Sequence, residues 1–460
     1  MSAAHSAPAT GVVNNFEDLR SLVEQGAVTT VALAAPDLQG RLKGKRYDAD
    51  YFLDHVTTNG ASVCGYVFAT DWDMRALDGF EIASFDTGYG DLGLRPDVRA
   101  FHQLAWQPGT ILVFADAVAA DGQLLDVAPR RVLARQLGLL AARGIKVQTG
   151  LEAEFVLYRG SYESAARTGF QRLRPLAQGS LDYALDHPPL TAQFLDQLQR
   201  VLAETGLPIE AIKSEGAPGQ VEFTFPPGDP LYCADRHLLL KQAARSVGHD
   251  LGVAPTFMAA PVTGIGSGLH IHLSLHHDEQ PLFADKDGHT SQAARQVIGG
   301  LLDALPDLAP LWAPTVNSYK RFVPGTFAPL TYSWGSDNRT CALRLAGHGR
   351  HRRIEIRLPG ADANPYLALT AVLAAAQHGL DHQHRPPHPV IGNAYDTDSP
   401  NADIPRSLQA AISHWRTSPV PERLLTKTVA DHYAVAAAHE LDSHEPIVTS
   451  EDLRRGFSQA

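Results

Sequence analysis

Apolar residues recur along the chain with two different periods, and the places where one gives way to the other divide the sequence. Residues 1–14 (MSAAHSAPATGVVN) are small and polar and read as a flexible tail. Phe16 to Gly26 has helical spacing, and 28–34 (VTTVALA) reads as a strand. From about 35 to 115, short β-type runs (ASVCGYVFA at 61–69, TILVFADA at 110–117) alternate with Gly/Asp/Pro turns, the mark of a small sheet-rich domain. DGQLLDVAP then leads into an amphipathic helix from Pro129 to about Arg143. Asp126 is placed to cap it, Pro129 suits its first turn and Gly144 its end. Further helices are expected near 190–204, 230–250, 291–304, 364–380 and 428–441, the fourth opened by Asn364-Pro365. The proline- and histidine-rich stretch 379–405 reads as an irregular loop.

In four segments of the second half the period is two. Glu152 and Glu154 share a face in 147–158 (VQTGLEAEFVLY), and Gln220, Glu222 and Thr224 share one in 219–225 (GQVEFTF). His270, His272 and Ser274 oppose leucines and an isoleucine in 268–275 (GLHIHLSL). Arg353, Glu355 and Arg357 oppose Ile354, Ile356 and Leu358 in 352–358 (RRIEIRL). A one-sided antiparallel sheet with its polar face in water would account for any one of these. The four together carry Glu, His and Arg and no Lys, which is unlike a solvated face. If the strands are neighbours, several carboxylates converge, and cations or the arginines must offset their repulsion. Glu with a single His is a hard donor set without the thiolates that select zinc, so the site calls for Mg²⁺ or Mn²⁺ beside a phosphorylated substrate. The arginines would meet phosphate or carboxylate in bidentate fashion.

Composition narrows the setting. The chain has 460 residues, 44% hydrophobic and 19% charged, enough for two or more domains with a large core. A formal charge of −11 argues against a nucleic-acid partner, since phosphate contacts need a basic footprint. The uncharged run Leu251–His277 is interrupted by prolines and glycines and does not suit a membrane span. The start of the chain lacks the Lys/Arg and apolar core of a secretory signal, and Cys64, Cys233 and Cys341 are scattered. A cytoplasmic protein is expected.

The longer motifs are specific. GLEAEF at 150–155, EGAPGQVEF at 215–223, GSGLHIHLSL at 266–275, NSYKRFVPG at 317–325, DNRT at 337–340 and RRIEIRLPGADANPYL at 352–367 occur in that order. On these the chain resembles the glutamine synthetase family of the bacterial type I kind, from about 16 to 455. The resemblance implies an α+β fold: a small N-terminal β-grasp domain (15–118) and a large C-terminal α/β catalytic domain (119–460) with a curved antiparallel sheet. It also implies a homo-oligomer, a dodecamer of two hexameric rings with active sites between subunits. Carried over by position, one Mg²⁺ or Mn²⁺ would be held by Glu154, Glu215 and Glu222, and a second by Glu152, His270 and Glu355. Glu210, His272, Ser274, Arg344 and Arg353 would meet ATP. Arg339 would act on the transferring phosphate, and Arg321, Arg357 and Gly266 would hold glutamate.

The chain departs from that family where ammonium would bind. The loop that reads PGYEAP in glutamine synthetases, whose Glu takes the proton of ammonium, is here Pro324-Gly325-Thr326-Phe327-Ala328-Pro329. The segment read as FDGSS is Phe68-Ala69-Thr70-Asp71, and Ile265 stands where an Asn touches glutamate. Phe327, Thr326 and Ala69 would thus line a wider, more apolar amine pocket. The pattern is similar to that of the γ-glutamylpolyamine and γ-glutamyl-amide synthetases, which use polyamines, ethanolamine, alkylamines or arylamines. Ordinary glutamine synthetase and a catalytically silent relative are the alternatives. Asp71, Asp73, Asp78 and Glu81 are candidates for an acidic amine entrance, and Phe327 for stacking or a cation–π contact. Asn393-Ala394-Tyr395-Asp396 is similar to the adenylylation loop of regulated members, although the residues after it diverge.

Overall fold

Two sheets carry the architecture of the computed structural model, which describes residues 13–396 and 402–457. Residues 1–12 of the expected tail, and 397–401 of the expected loop, lie outside the described residues. The first sheet comprises β1 (Thr30–Pro36), β2 (Leu42–Asp48), β3 (Ala61–Cys64), β4 (Asp91–Gln103) and β5 (Thr110–Val118), in the order β2-β1-β5-β4-β3. β1 and β5 run parallel and the other neighbours antiparallel. The helix Phe16–Glu24 buries Leu19 and Leu22, and the Asn15 side chain accepts the amides of Glu17 and Asp18 at its start. The run 61–69 is only partly strand. It leaves the sheet at Gly65 in a 3₁₀ turn that puts Phe68 wholly in the core.

The second sheet comprises β6 (Ile145–Arg159), β7 (Ala211–Ser214), β8 (Gln220–Thr224), β9 (Val253–Thr256), β10 (Leu269–His277), β11 (Gln280–Pro281), β12 (Trp334–Ser336), β13 (Leu343–Ala346) and β14 (Arg353–Ile356). Its main path is β12-β13-β14-β10-β6-β8-β7, with β9 on β6 and β11 on β10. All pairs but β12–β13 are antiparallel. The four segments with period-two polarity are therefore consecutive strands: β14, β10, β6 and β8. Helices Pro129–Ala141 and Pro230–Leu251 pack against β6.

The helix expected after residue 128 begins at Pro129, but Asp126 does not cap it. Ala128 holds the cap position without a side-chain bond, and Asp126 pairs with Arg131 at 3.5 Å. Asn364 does cap the helix Pro365–Asp381, accepting the Tyr366 amide at 3.1 Å. Its amide nitrogen also donates to the carbonyls of Asp37 and Leu38, both at 3.1 Å, and so joins the two sheets' regions.

A second tie is ionic. Arg130, 3% exposed, donates to Asp97 of β4 at 2.8 Å, to Asp116 of β5 at 2.8 Å and to Asp235 of the helix Pro230–Leu251 at 3.2 Å. Tyr366 donates its hydroxyl to the same Asp235. Removing one partner of such a network strands the others as buried charges, at about 3–5 kcal/mol. Arg130→Met is expected to cost that much in urea unfolding. A loss under about 1 kcal/mol would show that the network is dispensable.

Candidate functional site

The order β14-β10-β6-β8 sets the register of the polar side chains. His270 lies opposite Glu152, Glu154 opposite Glu222, and His272 opposite Glu355. On the other face, Leu151, Phe155, Phe223, Ile271, Leu273 and Ile356 are no more than 2% exposed. The polar face is not solvated either: Glu154 is 8% exposed, His270 5% and Glu355 1%. A sheet buried on one side and largely withdrawn from solvent on the other, where the acids lie, needs a reason beyond solubility.

The contacts are close. Glu152 meets His272 at 2.7 Å and His270 at 3.3 Å. The His272 Nδ1 accepts from Arg353 Nε at 3.1 Å, so its proton sits on Nε2 and is donated to Glu152. Glu154 accepts the Gly268 amide at 2.7 Å and the Gln220 side chain at 3.2 Å. Glu355 is clasped by Arg344 at 2.7 Å and by Arg357. Burial raises the carboxyl of Glu355, but Arg357 and the two histidines outweigh it and bring it down to about 2. Burial likewise opposes ionisation of Glu152, and the hydrogen bonds from His270 and His272 overcome it, holding that carboxyl below its usual range. Glu222 goes the other way. Burial, then the charges of Glu152, Glu154 and Glu215, push it up to about 9. The face thus holds more carboxylate than its own cations balance.

Among the described residues this face holds three groups whose donor atoms lie within 4.8 Å of one another: Glu154, Glu215 and Glu222; Glu152, Glu222 and His270; Glu152, His272 and Glu355. The first is the set expected for one metal. The second expected set, Glu152, His270 and Glu355, is met only pairwise, with His270 3.3 Å from Glu152 and 3.7 Å from Glu355; the group drawn together has His272 in place of His270. Oxygen-rich groups with an excess of negative charge fit Mg²⁺ or Mn²⁺.

All of these residues except His272 border a cavity of roughly 660 Å³. Its other wall is formed by Ile265, Gly266, Arg321, Thr326, Phe327, Arg339 and Arg357. The glycines of GSG have a steric task here. A Cβ on Gly266 would lie 2.7 Å from Arg321 Cγ, and one on Gly268 would lie 2.7 Å from His270 Nε2 and 2.9 Å from Arg321 Nη2. Arg321 is 4% exposed and is anchored by the carbonyls of Leu358 and Arg357, both at 3.1 Å. Burial lowers it to about 10. Arg339, by contrast, is exposed. Phe327 is 59% exposed in a left-handed backbone conformation at φ +57°.

Not every expected residue reaches this cavity. Ala69 is wholly buried in the first unit and lines no part of it, while Asp71 and Asp73 border a separate cavity with Trp72 and Lys241. Glu210, Ser274 and Arg353 lie outside its lining, and His272 is turned to Glu152. Tyr395 sends its hydroxyl inward to the Ala328 carbonyl at 3.0 Å, a poor posture for a modified surface tyrosine.

Three further residues belong to the site. Gln220, which shares the Glu222 face, donates to both Glu154 and the Gly266 carbonyl. Lys213 pairs with Glu215, and it lies 4.4 Å from the ring centre of Tyr183. Lys213 and Tyr183 carried no signal in the sequence, since a lysine on a short strand and a loop tyrosine are common.

No helix among the described residues is long and apolar enough to cross a membrane. The model of the glutamine synthetase catalytic domain matches residues 126–455. A gamma-glutamylethanolamide synthetase of Streptomyces coelicolor is 40% identical over 459 residues, which is 100% of this chain and 98% of the relative. A glutamate–isopropylamine ligase of a Pseudomonas species is 29% identical, covering 95% and 96%. Among solved structures, a GmaS/ADP complex superposes with a TM-score of 0.83 at 27% identity, covering 95% of this chain and 99% of that one. With the α+β architecture and the acid-lined sheet already in place, these matches show that the chain belongs to the glutamine synthetase family and is a carbon–nitrogen ligase.

Proposed function

We propose that the protein joins glutamate to an organic amine in an ATP-dependent reaction that forms a γ-glutamyl amide. The observation that carries this reading is the pairing of an intact acid face with a pocket loop in which Phe327 replaces the family's proton-taking glutamate. The similarity to synthetases named for ethanolamine and isopropylamine supports an organic acceptor over ammonium.

A carboxylate is a poor electrophile, so its γ-oxygen first attacks the γ-phosphorus of ATP. That gives γ-glutamyl phosphate and ADP. The neutral amine then adds to the acyl carbon, loses a proton and expels phosphate. Arg321 and Arg357 grip the glutamate carboxylates, with Gly266 giving Arg321 its room. Exposed Arg339, on the cavity wall, would act on the transferring phosphoryl group, while Arg344 steadies Glu355. Glu210, His272, Ser274, Arg344 and Arg353 are assigned to the nucleotide by position in the motifs. Glu154, Glu215 and Glu222 would hold one Mg²⁺ or Mn²⁺ and Glu152, His270 and Glu355 the other. When bound, the two ions neutralise phosphate charge during transfer. The amine is held by Phe327 and Thr326.

The same reading divides the chain at 118/119, places the protein in the cytoplasm and makes it a dodecamer with sites between subunits. Ala69 is buried and Asp71 and Asp73 lie off the cavity, so an acidic wall from this segment would have to be the one a neighbouring copy brings. The test is phosphate release with glutamate, ATP and Mg²⁺ or Mn²⁺ across a panel of amines. At least one organic amine is expected to exceed ammonium in kcat/KM by about tenfold or more. Turnover with ammonium alone would make the protein an ordinary glutamine synthetase, and turnover with nothing would make it a silent relative.

A further inference from the structure

A second group of ligating side chains lies away from the acid face. Asp303, near the end of the helix Gln292–Ala304, meets His378 of the helix Pro365–Asp381 at 2.9 Å and His384 at 3.8 Å. One donor atom from each of the three lies within 4.8 Å of the others. The backbone is shaped to bring them there. A Cβ on Gly300 would lie 2.4 Å from Gly379, and one on Gly379 2.2 Å from the Gln296 carbonyl, so the two helices touch main chain to main chain. Past the helix end, Gln383 adopts a left-handed φ of +52°, which folds the chain back so that the His384 amide donates to the Gly379 carbonyl at 3.0 Å. Gly299 completes the fit, since a Cβ there would lie 2.9 Å from that of His384.

Burial sharpens the case. His378 is 4% exposed and meets Asp303 through Nε2, while its Nδ1 has no hydrogen-bond partner among the described residues. An orphaned buried polar atom is costly. Two more imidazoles crowd the ring, with the centres of His384 and His382 at 4.5 and 4.7 Å. Imidazoles around one carboxylate form a borderline-soft donor set, unlike the oxygen-rich acid face.

We propose that Asp303, His378 and His384 form a binding site for a zinc-class transition-metal cation, with water or His382 at the remaining position. The cation would clamp the start of the segment that runs on to β12 and the DNRT motif. There the Pro387 carbonyl accepts Trp334 Nε1 at 2.8 Å and the Gly392 carbonyl accepts Asn338 Nδ2 at 2.8 Å.

The experiment uses the full chain in saturating Mg²⁺, which occupies the hard carboxylate groups. Zn²⁺ is titrated by calorimetry, with metal content measured after dialysis. One zinc per chain is expected to survive the Mg²⁺, and Asp303→Asn and His384→Ala should each weaken it at least tenfold. Substituting Co²⁺ should give visible d–d absorption that both variants lose. Equal melting temperatures in EDTA establish that the variants fold. Retention of no zinc in excess Mg²⁺, or undiminished zinc binding in both variants, would overturn the proposal.

Discussion

Replacing Phe327 by glutamate is expected to raise kcat/KM for ammonium about a hundredfold and to lower it for bulky amines by at least tenfold. The reason is local. Phe327 borders the cavity beside Ile265, Arg321 and Arg357, and it is 59% exposed. A phenyl ring at that place offers NH₄⁺ no more than a weak cation–π face and cannot remove its proton. General-base assistance is worth about 10²–10⁴, and only one of the two acids expected of an ammonium site is restored, so the lower end applies. The same carboxylate brings charge into a pocket shaped for an alkyl or aryl group, hence the opposite sign for bulky acceptors. Folding is not at stake. The side chain is exposed, and Phe and Glu are equally strained at φ +57°, so stability should change by about 0.5 kcal/mol or less. Initial rates over the amine panel check the result. An acceptor profile that does not move would mean that Phe327 lies outside the amine pocket.

Much of the site was legible because a strand's polarity has period two whatever its neighbours. Glu152 and Glu154, or His270 and His272, must share a face, and a face of acids and imidazoles without lysine is a poor solvent face. Adjacency of the four strands was only a condition in the sequence. The registers Glu152 with His270 and Glu154 with Glu222 supply it. What stayed hidden depends on contacts between distant segments. Asp303 and His384 are brought together by glycines on two helices, and nothing local marks them. Tyr395 sits in a segment similar to an adenylylation loop, but its hydroxyl donates to the Ala328 carbonyl of a segment far away in the chain. Asp126 had the chemistry of a cap but stands two residues before the cap position, where its side chain finds Arg131 instead. Ala69 stands where the FDGSS segment carries its acid, yet it is wholly buried and lines no part of the acid-faced cavity.

Glu222→Gln is expected to separate catalysis from folding. Glu222 belongs to two donor groups, with Glu154 and Glu215 on one side and with Glu152 and His270 on the other. Gln keeps the shape but removes the negative charge and the anionic donor. If both groups hold divalent cations, each loses a ligand at once. The charge stabilisation that such cations supply is worth several kcal/mol, and at about 1.4 kcal/mol per tenfold the turnover number should fall by about 10³ or more. The gain in melting temperature on adding Mn²⁺ should shrink in parallel. In EDTA the outcome reverses. With no cation present, Glu222 is one carboxylate among three others in a buried setting, and repulsion favours a neutral side chain there. The metal-free variant should therefore melt no lower than the parent. Were Glu222 chiefly a structural partner, the substitution would lower the melting temperature in EDTA by several degrees and leave the Mn²⁺ response intact. That result would remove the ions from this face, and the phosphoryl-transfer reading with them.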